Sequence, residues 1–202
     1  MSFDFLVDTL VTERLKTLSV WAQFRDADMG FRPAPLARSV HEQMVHQCLS
    51  EDAWFTKMLG LAVSLPALPE QETRLGFLQQ YAAASAQRIE LLREQPAAWF
   101  GGATMFFDVE RSRAWVLVRR IAHTAHHRGQ LTSYHRLLGH SLYSTYGPTA
   151  DTGGLPANGA RVVYRYPSVE ELLVAEARGD AGPPLPGPGA SSATERPVVL
   201  PD

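Results

Sequence analysis

Four long segments of the chain carry apolar residues at helical spacing, and helix-breaking residues separate them. The segments run over residues 4–25, 40–63, 69–94 and 109–138. In the first, Leu6, Leu10, Leu18 and Trp21 recur at roughly helical spacing, with charged residues between them. Because helices of this kind bury their apolar faces against one another, the sequence predicts an all-α fold, an antiparallel four-helix bundle.

Two helix starts carry a capping sequence. Ser39 is followed three residues later by Glu42, and Ser168 by Glu171. In such a capping box the serine hydroxyl accepts from the third helical amide, and the glutamate reaches back to the serine amide. We therefore expect helices to begin after these two serines. The third bundle helix is expected to begin near Pro69, because proline is tolerated in a first turn.

The chain changes character after the fourth helix. We assign residues 1–145 to the bundle, with a short extended piece expected at "TMFF" between its third and fourth helices. Residues 146–179 read as a turn-rich extension whose short helix packs on the bundle. Residues 180–202 are rich in proline and glycine and offer little apolar surface, so we expect a disordered tail.

Composition limits the partners and the compartment. A formal net charge of −2 without a block of Lys and Arg argues against nucleic acid as a partner. The sequence contains no run of about 18 apolar residues, so it predicts no membrane span. The start of the chain lacks the pattern of a secretory signal, and the single cysteine, Cys48, fits a reducing compartment. We expect a cytoplasmic protein that acts on a small molecule, with Cys48 as a small core residue.

The fourth helix contains "IAHTAHHRGQL", with three histidines close together. His123 and His127 are four residues apart, so their side chains lie on one helical face, as two imidazoles that share a metal ion must. His126 points about 100° away from His127. The pair is not a zincin motif, because position 124 is threonine where that motif has its glutamate. The later histidines, His135 and His140, are interpreted as solvated.

A third metal ligand has to come from another helix. The candidates are His41 and His46 on the second helix, followed by scattered carboxylates. The apolar periodicity of that helix favours His41. After the histidine pair, Gln130 could orient a ligand or a bound water through a hydrogen bond. Gly129 lowers the helix propensity, which suggests that another backbone approaches closely there.

Two stretches resemble the DinB-like, or damage-inducible, family of four-helix-bundle metalloproteins. "HTAHHRGQL" looks like the family's H-x-x-x-H-R-G-Q signature, and "SVHEQMVHQCLSEDAWF" is similar to its second helix. The resemblance covers about residues 1–150. It assigns His46, His123 and His127 as the triad that binds a divalent metal, zinc or nickel, and it implies a homodimer.

The resemblance also implies the type of reaction. Family members with known activity include thiol-dependent S-transferases and a mycothiol-dependent maleylpyruvate isomerase. Three imidazoles leave at least one position open on the metal, which is typical of a catalytic site. We therefore expect a transferase in which a low-molecular-weight thiol binds the metal as thiolate and attacks an electrophile. The alternatives are a hydrolase that uses metal-bound hydroxide and a non-catalytic stress-response or binding module.

Overall fold

The structure is a computed structural model that describes residues 3–191. Its six α-helices in this part of the chain are α1 (Asp4–Ala22), α2 (Val40–Ala53), α3 (Arg74–Arg93), α4 (Ala97–Gly101), α5 (Arg113–Leu137) and α6 (Val169–Arg178). A two-stranded antiparallel hairpin, β1 (Ala103–Phe106) and β2 (Val109–Ser112), lies between α4 and α5. Shorter helical turns are a π-helix at Trp54–Leu59 and 3₁₀ turns at Asp26–Asp28 and Pro156–Asn158. The all-α prediction is confirmed.

The four long helices α1, α2, α3 and α5 form the bundle, in which α1 and α2 each pack against both α3 and α5. Contacts between the helices fix their directions. Two pairs of helices are antiparallel: α1 with α3, by the contacts Arg14–Ala82 and Ala22–Arg74, and α2 with α5, by Gln43–Gln130 and Ser50–Arg120. Two pairs are parallel: α1 with α5, by Glu13–Arg128 and Val20–His135, and α2 with α3, by His41–Phe77 and Glu51–Arg88.

Each bundle helix therefore has one antiparallel and one parallel neighbour, so the bundle is antiparallel, as predicted, only across the pairs α1–α3 and α2–α5. The chain reaches this arrangement because residues 60–73 form a long connection that returns to the end of the bundle where α2 begins. Consequently α3 runs in the same direction as α2. The connection begins at Gly60, whose φ of 71° ends the π-helix in a left-handed conformation.

Two apolar clusters fill the bundle, one toward each end. One includes Trp21, Met44, Leu78, Leu131 and Leu172, and the other includes Leu10, Phe55, Ile89, Leu92 and Val116. Cys48 is buried in the first cluster, as expected, and burial raises the pKa of its thiol. Side chains from every long helix contribute to these clusters, so their burial joins the bundle into one unit.

Buried ion pairs also join the helices. Glu51 of α2 accepts from Arg88 of α3 at 3.2 Å and from the hydroxyl of Tyr81 at 2.7 Å. At the other pair, Glu13 of α1 accepts from Arg128 of α5. Because an unpaired charge in such surroundings is costly, these pairs favour one arrangement of the helices.

The predicted capping box forms at α2, and at α6 the predicted serine cap forms. Ser39 accepts from the Glu42 amide at 3.1 Å, and its own amide donates to Glu42 at 2.7 Å. Ser168 accepts from the Glu171 amide at 3.1 Å. Each serine stands directly before its helix, where its hydroxyl satisfies an amide that has no partner inside the helix.

Three predicted helix boundaries were wrong. α3 begins at Arg74 and not near Pro69, because the Thr73 hydroxyl accepts from the Gly76 amide at 3.0 Å and caps the helix there. α2 has regular α-helical geometry only to Ala53, before the π-helix. α5 begins after Ser112, since residues 109–112 pair as a strand with residues 103–106. The extended piece expected at "TMFF" is β1, and its partner strand was assigned to the helix.

The segment after α5 contacts the bundle at several points. The Tyr143 amide donates to Gln23 at 3.0 Å, and the Tyr146 hydroxyl donates to Glu13 at 2.9 Å. α6 packs against α1 and α3 and buries Leu172 completely. In the predicted tail, the Gly187 amide donates to Asp151 at 2.9 Å. Residues 192–202, where the rest of that tail falls, lie outside the described residues.

Candidate metal centre

Three imidazoles from two helices converge at one point. His46 lies on α2, and His123 and His127 lie on α5. The Nε2 atom of His127 is 3.0 Å from Nε2 of His46 and 3.2 Å from Nε2 of His123. The three possible ligand atoms, one from each imidazole, all lie within 4.8 Å of one another. These nitrogen atoms are close enough together to hold one metal ion.

The register between α2 and α5 places His46 opposite the pair. On one side of the centre, Gln43 donates to Gln130 at 2.9 Å, and on the other side Arg120 donates to the Ser50 hydroxyl at 2.9 Å. His46 lies between Gln43 and Ser50 on α2. Since α2 and α5 are antiparallel, these two hydrogen bonds set His46 against the stretch of α5 that carries the histidine pair.

Gln130 orients His127. Nδ1 of His127 donates to Oε1 of Gln130 at 2.9 Å, and the same oxygen accepts from Gln43. A neutral imidazole that donates from Nδ1 has its lone pair on Nε2. The amide therefore fixes the tautomer in which His127 presents an unprotonated nitrogen to the other two rings. The orienting role considered for Gln130 has a geometric basis in this bond.

Burial keeps the three imidazoles neutral. It lowers the pKa of His123 to about 3, with a further contribution from the charge of Arg120. Burial also lowers the pKa of His127 to about 4, although the hydrogen bond to Gln130 acts in the opposite direction and raises this pKa. The pKa of His46 is lowered by burial and by the charge of Arg38. At neutral pH each ring is thus in the form that can bind a metal.

The centre opens into a cavity of about 430 Å³. The cavity is lined by Arg38, His46, Arg119, Ala122, His123, His126 and His127. Its volume is in the range of sites for small molecules. A ligand in this cavity would have direct access to the point where the three Nε2 atoms meet.

The other histidines of the described chain lie apart from the convergence point. His41, which the apolar periodicity favoured, contacts Glu72 at 2.6 Å near the start of α2. His126 lines the cavity but is not one of the three converging histidines, and its Nε2 is 3.3 Å from Nε2 of Gln130. The apolar side of α2 packs against α3 as well as α5, so it could not single out the face that meets α5.

The interpretation of His135 as solvated was wrong. His135 is completely buried, its Nε2–H donates to the Val20 carbonyl at 3.1 Å, and its ring stacks on Phe24. His140 is also largely covered, 3.6 Å from Asp28. The reason is that the chain after α5 folds back across the end of α1 and encloses this face of α5.

One residue of the "RGQ" stretch has a role that the sequence did not indicate. Arg128 turns away from the centre and forms its buried ion pair with Glu13, while also donating to Thr17 at 3.2 Å. The explanation offered for Gly129, that another backbone approaches closely there, was wrong, because a Cβ atom there would meet nothing within 4 Å.

The sequence analysis did not identify three residues at the centre, Gln43, Arg38 and Arg119. Arg119 could have been found, since it precedes His123 by four residues and shares its helical face.

The fold and the site together define a helical-bundle protein with a candidate three-histidine metal centre between two antiparallel helices. The model of the DinB family matches residues 2–154. The chain belongs to the DinB family, as the resemblance in its sequence indicated. No curated protein matches the chain.

Two solved structures with the same fold come from bacilli. A DinB-like protein from Bacillus cereus ATCC 10987 is 18% identical, with a TM-score of 0.64 over 71% of this chain and 97% of that one. A DinB-like protein from Bacillus subtilis, YjoA, is 14% identical, with a TM-score of 0.52 over 68% of this chain and 94% of that one. At these identities the similarity shows the bundle fold alone. In the described part of this chain, no helix has both the length and the apolar character needed to cross a membrane.

Proposed function

We propose that this protein is a divalent-metal-dependent transferase that joins a low-molecular-weight thiol to an electrophilic small molecule. The observation that carries the proposal is the convergence of three neutral imidazole nitrogen atoms at an open cavity. Three ligands from the protein leave a coordination position for a ligand from the cavity, which distinguishes catalytic sites from closed structural ones. The homodimer implied by the resemblance stays a prediction.

The donor atoms fit a divalent metal. Imidazole nitrogen suits zinc and nickel, and both metals are compatible with a site of three histidines. Nδ1 of His123 is buried without a hydrogen-bond partner in the described chain, whereas Nδ1 of His127 is held by Gln130. When bound here, such a metal would lower the pKa of a coordinated thiol or water toward neutrality.

Residues of the chain would hold the metal and fix the orientation of its ligands. His46, His123 and His127 would hold the metal, and Gln130 fixes the ring of His127. The ring of Trp54 packs against His123, with centroids 5.4 Å apart, and limits its movement. Among the described residues that line the cavity there is no carboxylate to act as a general base. This favours a reaction in which the thiol itself is the nucleophile.

The proposed reaction balances without a redox partner. The thiol loses its proton to solvent, and its sulfur forms a bond to the electrophilic carbon. The bond from that carbon to the leaving group breaks, and the leaving group departs with the electron pair. The role of the protein is to bring the two reactants together in the right orientation.

A thiol-transfer assay tests the proposal. The metal-loaded chain is incubated with several cellular thiols and a chlorodinitrobenzene, and thioether formation is followed. We expect metal-dependent turnover that is lost in His46→Ala and His127→Ala but kept in His41→Ala, the matched control on α2. Turnover with water alone would indicate a hydrolase. No turnover with any donor would indicate a binding module.

A further inference from the structure

Two arginines line the cavity beside the three histidines. Arg119 lies on α5, one turn before His123, and Arg38 directly precedes the N-cap of α2. Both side chains are exposed. The charge of Arg38 is close enough to lower the pKa of both His46 and His127. A ligand at the histidines would therefore lie in the field of Arg38, with Arg119 lining the same cavity.

The backbone that carries Arg38 is fixed to α5. The carbonyl of Arg38 accepts from the Tyr134 hydroxyl at 2.9 Å, and the next helix amide, Val40, donates to Phe31 at 3.1 Å. Arg119 is fixed by the helix itself, where residues four apart share a face. The two arginines thus line the cavity from different segments, and each has an anchored backbone.

Neither guanidinium has a hydrogen-bond or ion-pair partner within residues 3–191. This sets them apart from the arginines of the bundle interior, since Arg88, Arg120 and Arg128 all contact carboxylates. The cavity lining contains no acidic side chain in the described chain that would neutralise the two charges. Guanidinium groups bind carboxylates in a planar, two-bond geometry, so a carboxylate is the group that this pair would best accept.

We infer that the cavity takes a thiol that carries a carboxylate, with its sulfur toward the three histidines and its carboxylate toward Arg38 and Arg119. The inference rests on the proposed function, because that function places the sulfur. A cavity of about 430 Å³ has room for a small thiol together with a second reactant. Arg38 and Arg119 would then determine which thiol binds, while the histidines determine what happens to it.

Thiol binding to the cobalt-substituted full chain tests the inference. A thiolate on cobalt gives a charge-transfer absorption band, so affinity is read without turnover. The probes are 3-mercaptopropionate and its methyl ester, which share the same sulfur chain, and each affinity is corrected for the ionised fraction of the thiol. We expect the acid to bind roughly 10-fold more tightly than the ester, the effect of one good charged contact. This preference should shrink as salt screens the exposed arginines.

Variants assign the preference to residues. Arg38→Gln and Arg119→Gln should each reduce the preference for the acid several-fold, and the double variant should abolish it. Arg161→Gln removes an exposed arginine elsewhere and should leave it unchanged. The cobalt spectrum without thiol and the circular dichroism of each variant confirm an intact centre and fold.

The outcomes separate the two proposals. Equal binding of acid and ester by the unmodified chain would overturn the inference and leave the proposed function standing. A preference that survives in the double variant would also overturn it. If neither thiol gives a band, the proposed function fails and the inference fails with it.

Discussion

At the scale of single residues, Gln130 connects α2 to the candidate metal centre. Its carbonyl oxygen accepts from both Gln43 and His127. A group of this kind holds a ligand ring in one tautomer and orientation, and its loss typically weakens metal binding about 10- to 100-fold. Gln130 is thus the residue outside the histidines on which the centre should depend most.

Gln130→Leu removes the acceptor, whereas Gln130→Glu keeps an oxygen in the same place. We expect the leucine variant to bind zinc about 10- to 100-fold more weakly, and the glutamate variant to stay near the original affinity. Competition with a chromophoric chelator measures both. Equal affinity in the leucine variant would show that the bond does not support the centre.

Gly129 is an exposed glycine in the interior of α5 with open space where a side chain would project. Gly129→Ala should raise the free energy of unfolding by about 1 kcal/mol, because alanine is the better helix former. The matched control is Gly76→Ala in α3, where a Cβ would lie 2.2 Å from the Gln71 carbonyl oxygen. Urea denaturation should show opposite signs for the two variants. A destabilised Gly129→Ala would mean that something does pack there.

Single residues of the site were predictable to different degrees. His123 and His127 could be paired because residues four apart on a helix lie on the same face. The choice between His41 and His46 could not be made from periodicity, because it depends on which face of α2 meets α5. That face is set by distant contacts such as Gln43 to Gln130, which no local pattern contains.

At the scale of helices and strands, local chemistry explains the correct predictions and tertiary contacts the failures. The cap at Ser39 was predictable because its partner is three residues away. Thr73 was missed as a cap because Pro69 offered an equally acceptable local start. The strand at 109–112 forms only because residues 103–106 pair with it, and its sequence alone is compatible with a helix.

The buried pair between Glu13 and Arg128 joins α1 to α5. Replacing Glu13 leaves the charge of Arg128 buried without a carboxylate, which costs about 3–5 kcal/mol. We expect Glu13→Gln to destabilise by that order. Arg128→Met should cost less, because Glu13 keeps its ion pair with Lys16 at 3.4 Å, and the double variant should lose less than the sum of both. A double-mutant cycle of urea unfolding energies measures the difference. Simple additivity would contradict the role of the pair.

At the scale of the whole molecule, burial of neutral histidines predicts acid sensitivity. Burial lowers the pKa of His135 to about 4, below the ordinary value of 6.5. As the pH falls from 6.5 toward 4, the unfolded chain takes up a proton that the folded chain does not, so stability falls. Below about pH 4 both states are protonated and the loss from this group is complete.

His135→Gln should reduce this acid sensitivity, since an amide can also donate to the Val20 carbonyl but does not titrate. Unfolding free energies are compared at pH 7 and pH 5 with a chelator present, so that metal binding does not contribute. We expect a smaller loss in the variant than in the original chain. An equal loss would show that His135 is not a source of the pH dependence.

The directions of the helices are a property of the whole molecule. The sequence predicts an antiparallel bundle, whereas in the structure each long helix also has a parallel neighbour, α1 with α5 and α2 with α3. The parallel pairing of α2 with α3 depends on the path of residues 60–73 and on contacts such as Glu51 with Arg88. That pairing leaves α2 and α5 antiparallel neighbours and so brings the three histidines together.

The central claim is that His46, His123 and His127 bind one divalent metal, and metal analysis of the purified chain tests it most directly. We expect about one equivalent of zinc or nickel per chain, as in a mononuclear site. Alanine in place of any one of the three histidines should remove most of it, while His41→Ala should retain it. Full metal content in the three variants, or its loss in His41→Ala instead, would contradict the account.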